Sequence, residues 1–387
     1  MIVFFVLCMP ALLVSALGFY TALLFLHHLQ LPTRHRDGLV TLILPLTGAA
    51  QGLEGLLNAL AAQTLRPRRL IIGVEGSADP AYRRATDLAG RCDFPIDVVL
   101  AAPAHQCAQK CANQIAALRQ VDARDEAVVL LDADILPPPW WLCALVTPLL
   151  EGTADVVSGY RWPLPAARLG AHLVASIDRA IALLPRLGGF NVVWGGSLAF
   201  SAQALATLQP ERLLARTLSD DCTLGEQAGA RGLRVLTRRA LLVPTPTNGT
   251  LASLWRFGRR QYQIIRIYRP GLWWLAAAAL TARVATWGLL FTHLDLAASR
   301  LVLGILLGLS LAGLAVQSVV AQRLGCPDTA GVRLGQGLLA LLKPLVDLFH
   351  WSIVIAALAA RTVRWGHIVY RADGPANISI RSRTPWA

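Results

Sequence analysis

Lysine is nearly absent from this 387-residue chain: only Lys110 and Lys343 stand beside the arginines among 36 basic residues. Acidic residues number 23, giving a formal charge of +13, yet charged residues of both signs make up only 15% of the chain and hydrophobic ones 55%. With so little charge and a mean hydropathy of +0.51, a disordered or fibrous chain is excluded and an ordinary soluble enzyme is disfavoured. No nucleic-acid recognition module accompanies the excess of arginine. The charge therefore points away from nucleic acid and toward the anionic cytoplasmic face of a bilayer. Paired cysteines are also missing. The seven are scattered, Cys8 sits inside an apolar run, and the close pair Cys107 and Cys111 has no second pair to complete a zinc site. Reduced cytosolic thiols are expected, without a disulfide framework. The glycines at 48, 52 and 55 miss the G-x-G-x-x-G spacing, so a dinucleotide-binding fold is not supported. No repeat or low-complexity segment is evident.

What the chain has in quantity is long apolar runs at its two ends. Residues 2–29 exceed a signal-peptide core, lack a small-residue cleavage site and are followed by Arg34 and Arg36. This predicts an N-terminal anchor over 1–30 whose C-terminal side is cytoplasmic, with Pro10 as a tolerated kink. Near the other end, 273–293 and 301–320 are each long enough to span, so two transmembrane helices are expected within 271–321. A third stretch within 336–361 is interrupted by Lys343, Pro344, Asp347 and His350. A third full crossing would put the basic tail, 362–387, outside. The stretch is therefore expected to lie at the interface or re-enter, which also spares Lys343 and Asp347 burial in hydrocarbon.

Between these ends, residues 38–247 alternate short apolar runs with helical patterns, the signature of an α/β domain with a mainly parallel sheet. Strands are expected at 39–44, 70–74, 97–100, 127–131, 156–160 and 233–236. About 200 residues suffice for one core. In VVLLDADILPPPWW a buried strand delivers Asp132 and Asp134 to its carboxyl end, where open α/β sheets bind ligands. Both side chains point the same way, and two like charges held together want a cation; hard oxygen donors suit Mg²⁺ or Mn²⁺, with phosphate oxygens completing the shell. The plainer alternative is a loop whose carboxylates cap the next helix. In LSDDCTLGEQAGARGLRV, Asp220 and Asp221 open a helix. Asp220 reads as a cap and Asp221 as a general base for an attacking hydroxyl. Glu75 and Asp79 flank a Gly-Ser turn after the second strand, where they could accept hydrogen bonds from a base or ribose, or simply face solvent.

The order of these elements resembles the GT-A glycosyltransferases, in particular the membrane-bound ceramide glucosyltransferase-like group with its hopanoid-associated bacterial members. The resemblance runs from Val40 to about Gly366. EGSAD at 75–79 is similar to the family's D-G-S-x-D turn, with Glu75 where an Asp meets uracil, and Asp79 remains a second candidate. QKCAN resembles the P-K-x-N segment, which brings Lys110 and Asn113 to the nucleotide site. LDAD resembles the D-x-D motif that binds the ribose and the divalent metal. VWGGSLAFSAQAL at 193–205, with Gly195 and Gly196, is similar to the glycine turn and strand beneath the acceptor, and SDDCTLG resembles the E-D element, with the base at Asp221 beside Asp220.

The chain departs from this pattern at its last motif. The group carries a Q/R-x-x-R-W stretch on an interfacial helix, whereas LWRFGRRQYQIIRIYRP, within an amphipathic segment over 250–270, has Gln261 and Tyr262 in the R-W places. Arg259 or Arg260 could replace the lost guanidinium against a leaving diphosphate. Alternatively, the helix only seats the domain on anionic lipid, as Arg256, Arg266 and Arg269 would.

The resemblance implies an inverting transfer of a sugar, glucose or similar, from a UDP-sugar to a hydroxyl of a membrane lipid such as ceramide or a hopanoid. It implies an integral protein of the bacterial inner membrane, with its catalytic domain in the cytoplasm. A processive polysaccharide synthase shares the fold but needs more spanning helices and an intact motif. A polyprenyl-phosphate sugar transferase has an already ionised acceptor, with less need of a base. A catalytically silent nucleotide-sugar-binding scaffold would keep the aspartates without turnover. His27 and His28 follow the first helix and read as interfacial, His172 lacks a ligand partner at useful spacing, and Trp140 and Trp141 read as core or interface aromatics rather than a sugar platform, Trp194 before the glycine turn being the one to test as a platform.

Overall fold

The computed structural model of the protein describes residues 2–31, 35–184 and 192–386. Arg34, one of the two arginines expected to fix the first helix's orientation, lies outside the described residues. The chain divides into two compact units, one of 1–30, 162–185 and 246–360, the other of 31–161, 186–245 and 361–387.

The second unit is built on a seven-stranded sheet. Its strands are β1 (Val40–Leu46), β2 (Arg69–Val74), β3 (Ile96–Leu100), β4 (Ala127–Leu131), β5 (Val156–Pro165), β6 (Ser197–Ser201) and β7 (Val235–Thr247). Their order is β3-β2-β1-β4-β6-β5-β7. The β1/β2, β1/β4 and β2/β3 pairs are parallel, while β6 runs antiparallel to both β4 and β5. β1 and β4 are apolar through almost their whole length and buried on both faces, as strands covered by helices must be. Helices Leu53–Ala61 and Trp141–Leu150 bring Leu53, Leu56, Leu60, Leu142 and Leu145 onto the same core as Leu42, Leu44 and Val129. Trp141 is fully buried there and donates from its indole to Ser197 Oγ at 2.9 Å, so it is a core aromatic. By sequence, β6 is distinguished only as part of the glycine-turn segment 193–205. Its Ser-Leu-Ala-Phe-Ser is too short and too mixed to stand out by periodicity.

Residues 362–387, expected as a basic tail, instead fold as a three-stranded antiparallel sheet: β8 (Thr362–Trp365), β9 (Ile368–Gly374) and β10 (Asn377–Arg383). Val363, Ile368, Tyr370, Ala372 and Ile378 are buried, and arginines occupy many of the intervening outward positions. The two-residue β8–β9 turn uses Gly366 at φ +60°, a conformation glycine adopts without steric cost.

The first unit is helical. Among the described residues, Phe4–His27, Pro270–Thr292 and Ala297–Arg323 are long and apolar enough to cross a membrane. The first packs on the other two through Phe4, Cys8, Trp287, Leu290, Val302 and Leu306. Helices Ala330–Leu341 and Lys343–Ala356 meet at an 81° bend. Segment 162–185, counted with the α/β domain by sequence, joins this unit. Leu173 of helix Leu169–Ala182 packs with Leu254, Leu339 and Val346. Arg179 is fully buried in the same unit, paired through both terminal nitrogens with Asp328 at 2.8 and 2.9 Å and set over the Trp162 ring. His172 contacts Gln336, a packing role.

Candidate active site

Parallel pairing in near register brings the carboxyl ends of β1, β2 and β4 to one edge of the sheet. Thr47 follows β1, Glu75 follows β2, and Asp132 and Asp134 follow β4. The turns are held tightly: a Cβ on Gly52 would lie 2.6 Å from the Ala133 carbonyl, so only glycine lets the β1 loop approach the D-x-D turn.

Helix Gln109–Leu118 crosses beneath this edge. Asn113 donates to the Leu46 carbonyl at 2.9 Å and accepts from Gln109 Nε2 at 2.9 Å, fixing the end of β1. One turn back along the same face, Lys110 reaches Asp132 Oδ1 at 2.8 Å and Asp220 Oδ2 at 3.1 Å. Burial alone would lower the Lys110 pKa, but Asp132, Asp220 and Asp221 outweigh it and hold the ammonium charged, well above its usual range.

The two aspartates at the start of helix Asp220–Ala230 are driven apart by their surroundings. Asp220 is buried, and although desolvation opposes ionisation, Lys110 and the 2.7 Å bond from Gln114 Nε2 hold its pKa below the usual carboxylate range. Asp221 is only half-buried. Desolvation and the neighbouring Asp220 charge raise its pKa, despite bonds to its Oδ1 from Ser219 Oγ at 2.5 Å and Cys222 N–H at 2.7 Å. Among the described residues its Oδ2 receives only a long 3.5 Å contact from Gly195 N–H. Two adjacent carboxylates with diverging pKa values, one locked in an ion pair and the other raised and half-open, form an acid–base arrangement.

The glycine turn before β6 exists because of this cluster. A Cβ on Gly195 would meet Asp220 Oδ2 at 2.8 Å and Lys110 Nζ at 3.2 Å, and one on Gly196 would meet the Trp194 ring at 2.2 Å. Trp194 lies against Tyr160, ring centroids 5.9 Å apart.

Asp134 opens to solvent but stands in a crowded recess, where desolvation and Asp132 raise its pKa against the lowering pull of Arg161. Asp79, 1% exposed, caps helix Pro80–Ala89 through Ala81 N–H at 2.9 Å and ties down Thr47 Oγ1 and Gly48 N–H at 2.9 and 2.8 Å. Three donors thus already occupy the Asp79 carboxylate. Glu75 is paired with Arg383 of β10.

Lys110, Asp132, Asp134, Gly195, Gly196, Asp220 and Asp221 therefore assemble in one unit, with Glu75 and Asp79 on the same sheet edge. Arg259, Arg260, Gln261 and Tyr262 lie on helix Leu251–Tyr268 of the other unit. There Arg260 stacks over Phe257 and the Tyr262 hydroxyl bonds His350 Nε2. Sequence reasoning missed Gln114 and Arg161 around the carboxylates and His367, Tyr370 and Arg383 near Glu75. Gln114, four residues after Lys110 on the same helix face, carried the readable signal.

The sheet order with its antiparallel β6, the D-x-D pair at the end of β4 and the split aspartates define a GT-A glycosyltransferase, an enzyme that transfers sugar from a nucleotide sugar. The chain belongs to glycosyl transferase family 21, whose model matches residues 3–376. Among solved structures it is similar to the mannosyltransferase PcManGT from Pyrobaculum calidifontis in complex with GDP-Man and Mn²⁺. That match has 16% identity over 91% of this chain and 97% of that one, with a TM-score of 0.48. It is also similar to glucosyl-3-phosphoglycerate synthase from Mycobacterium tuberculosis in complex with phosphoglyceric acid, at 20% identity over 59% of this chain and 79% of that one, TM-score 0.38. The same synthase with Mn²⁺, UDP and glucosyl-3-phosphoglycerate matches at 18% identity over the same shares, TM-score 0.37. No curated protein sequence matches the chain.

Proposed function

We propose that the protein is an inverting glycosyltransferase that moves a sugar, glucose or similar, from a UDP-sugar to the hydroxyl of a membrane lipid such as ceramide or a hopanoid. The observation that carries this reading is Asp221: a half-open carboxylate with a raised pKa, next to an aspartate locked to Lys110. A hydroxyl acceptor needs a base of this kind, whereas an ionised phosphate acceptor does not. Asp221 takes the hydroxyl proton as the oxygen attacks the anomeric carbon on the face opposite the departing UDP.

The strand-end carboxylates fit a divalent ion, Mg²⁺ or Mn²⁺. Asp132 and Asp134 are hard oxygen donors at one turn, and Asp134 sits where a cation would relieve both desolvation and repulsion from Asp132. Among the described residues no group of three or more His, Cys, Asp or Glu side chains could hold an ion by itself, so donor diphosphate oxygens would complete the shell. When bound, the ion neutralises charge developing on the leaving diphosphate. Lys110 orients Asp132, and Gly195 leaves room above the carboxylate pair.

The membrane placement is part of the proposal: an inner-membrane protein with its catalytic unit in the cytoplasm. It is supported by the three apolar helices and by the folding of 361–387 into the same unit as the catalytic sheet. The two segments flanking 246–360 must then lie on one side of the bilayer, so that stretch crosses an even number of times. Pro270–Thr292 and Ala297–Arg323 account for two crossings, leaving the bent pair 330–356 re-entrant or interfacial.

The test is UDP release from membranes containing the protein, with a panel of UDP-sugars and native lipid extract, with Mg²⁺ or Mn²⁺ against chelator, beside Asp221→Asn. Release that needs both lipid and metal, and is lost in the variant, is the expected result. Saturable UDP binding without turnover on any lipid would leave a silent scaffold instead.

A further inference from the structure

The sheet of β8, β9 and β10 has two unlike faces. Its inner face is apolar and occupied: Val363, Ile368, Tyr370, Ala372 and Ile378 are buried. The Tyr370 hydroxyl accepts from Gln109 N–H at 3.0 Å, and Arg383 reaches inward to Glu75, Gln109 and the Ala104 carbonyl. Register decides what shares the outer face. Arg371 stands opposite both Thr362 and Ser379, and Arg364 opposite Val369, so these side chains leave on the side away from Tyr370 and Val363. Arg381 falls at the irregularity between Ile380 and Ser382, where β10 carries one extra residue.

The charge on that outer face is one-sided. Residues 361–383 hold five arginines and a single acid, Asp373, and of the five only Arg383 turns inward. Arg371 Nε bonds both Asp373 oxygens, at 3.0 and 2.7 Å. That bond, and then the charges of Arg371, Arg361 and Arg381, hold the Asp373 carboxyl below its usual range, which gathers three guanidinium groups around one carboxylate. Arg361, Arg364 and Arg381 are exposed, and among the described residues no carboxylate lies within ion-pair distance of them. Cations crowded in this way repel one another and gain when an anionic surface meets them.

The course of the chain says which surface that is. The Ala360 carbonyl accepts from Arg266 Nη2 at 2.8 Å, inside the helical unit, and Arg361 is the next residue. Helix Lys343–Ala356 ends five residues before Arg361, at most about 17 Å of extended chain. The potential of an anionic leaflet decays within about 10 Å of it at moderate salt, so a basic face responds to it only when held close. This tether holds it there. Nucleic acid, the other extended polyanion, gives no reason for a basic face to begin where a membrane segment ends.

We propose that the outer face of the C-terminal sheet, through Arg361, Arg364, Arg371 and Arg381, docks on the anionic phospholipid headgroups of the leaflet that its own chain has just left. This rests on the membrane placement above, and it gives the catalytic unit a direct contact with the surface that supplies a lipid acceptor.

The experiment places the full-length protein in nanodiscs of phosphatidylcholine, alone or with an equal part of phosphatidylglycerol. Each disc carries a trace of phospholipid with a photo-crosslinker on its headgroup, and mass spectrometry locates the labels. Wild type is compared with the triple variant Arg361→Gln, Arg364→Gln, Arg381→Gln. The control is Arg83→Gln, Arg91→Gln, Arg119→Gln, which removes the same charge from three exposed arginines of the same unit outside the sheet. Thermal unfolding reports that each variant is folded. Residues 361–383 of wild type and control should be labelled several-fold more in the anionic discs, and high salt should remove the excess. Each basic residue at an anionic surface is worth about fivefold in binding, so the triple variant weakens docking roughly a hundredfold and should lose the excess. Arg364→Gln alone, the mildest change, should weaken docking about fivefold. Equal labelling of 361–383 in the two kinds of disc, or an excess that survives in the folded triple variant, overturns the docking and leaves the membrane placement and the transferase reading standing. A protein that stays in solution without detergent or disc overturns the membrane placement, and the docking with it.

Discussion

Lys110 Nζ lies 3.1 Å from Asp220 Oδ2, and because it also reaches Asp132 Oδ1 at 2.8 Å, one lysine links the end of β4 to the start of helix Asp220–Ala230. In a chain that otherwise uses arginine almost throughout, a compact ammonium stands here, close enough to Gly195 that a Cβ on that glycine would lie 3.2 Å from Lys110 Nζ. Lys110→Met strands the buried Asp220 carboxylate beside Asp221. A loss of about 3 kcal/mol or more is expected, in the range for breaking a buried pair from one side. Chemical unfolding of the purified variant checks it; a loss under about 1 kcal/mol would mean the pair behaves as a surface ion pair.

Asp221 gives a pH signature. Its pKa is raised, so the ionised, proton-accepting form disappears as pH falls through a value above the ordinary carboxylate range. The acidic limb of kcat/KM should therefore lie above that range. Asp221→Asn should cost roughly two to four orders of magnitude in rate and remove the limb. The linkage sign is the reverse for stability: a raised pKa means that the folded state favours the proton, and stability is lost as pH rises through it. Asp221→Asn should consequently be no less stable than wild type near neutral pH, measured by thermal unfolding. A variant that is both inactive and strongly destabilised would falsify the assignment of a base held at a cost to stability.

Much of the catalytic unit was legible because its signals are local. β1, β2 and β4 are short, mainly apolar runs, and Asp132, Asp134, Asp220 and Asp221 each follow or open an element whose direction fixes where they point. The C-terminal sheet was not legible. Arg364, Arg371, Arg381 and Arg383 alternate with buried Val363, Tyr370, Ala372 and Ile378, and read by composition they make a basic tail rather than an amphipathic strand pattern. Its pairing with Glu75 joins residues about 300 positions apart, which no window of sequence contains. Asp79 shows a subtler limit. Its place before Pro80 carries a helix-cap signal, but the bonds to Thr47 and Gly48 come from a neighbouring strand end.

Gly195→Ala tests whether the turn exists for the cluster. The added Cβ would lie 2.8 Å from Asp220 Oδ2, so the carboxylate must shift off Lys110 or the turn must move. Overpacking of this kind costs about 1–3 kcal/mol, and turnover should fall more steeply than UDP affinity, because the aspartate pair moves while the Glu75 edge does not. Steady-state kinetics beside a UDP titration separates the two effects. Equal loss of both would point to general collapse of the site.

Asp79→Ala removes a helix cap and two bonds that hold the β1 loop. About 1–2 kcal/mol of stability is expected to go with the cap, and, on the proposed donor site, UDP affinity should weaken with it because Thr47 borders a cleft at the carboxyl end of β1. Asp79→Asn keeps an acceptor for Ala81 N–H and should recover most of the stability. If the asparagine variant were as weak in UDP binding as alanine while fully stable, Asp79 would be contacting the donor itself.

The topology of the chain is set by packing more than by hydropathy. Arg383 bonds Glu75, Gln109 and the Ala104 carbonyl, so the C-terminal segment is folded into the catalytic unit and must share its side of the membrane. Lys343, Asp347 and Arg283 form one ion-pair group in the helical unit, a costly load for a helix pair crossing hydrocarbon and a tolerable one for a pair turning back toward an interface. The 81° bend at Leu342 suits that return. Reporters that fluoresce only in the cytoplasm or act only outside it, fused after Ala387 and in the Leu294–Leu296 loop, should therefore give opposite results, cytoplasmic at the C terminus and external at the loop. An external C terminus in an active protein would require the bent pair to cross, and would separate the C-terminal sheet from the site it packs against.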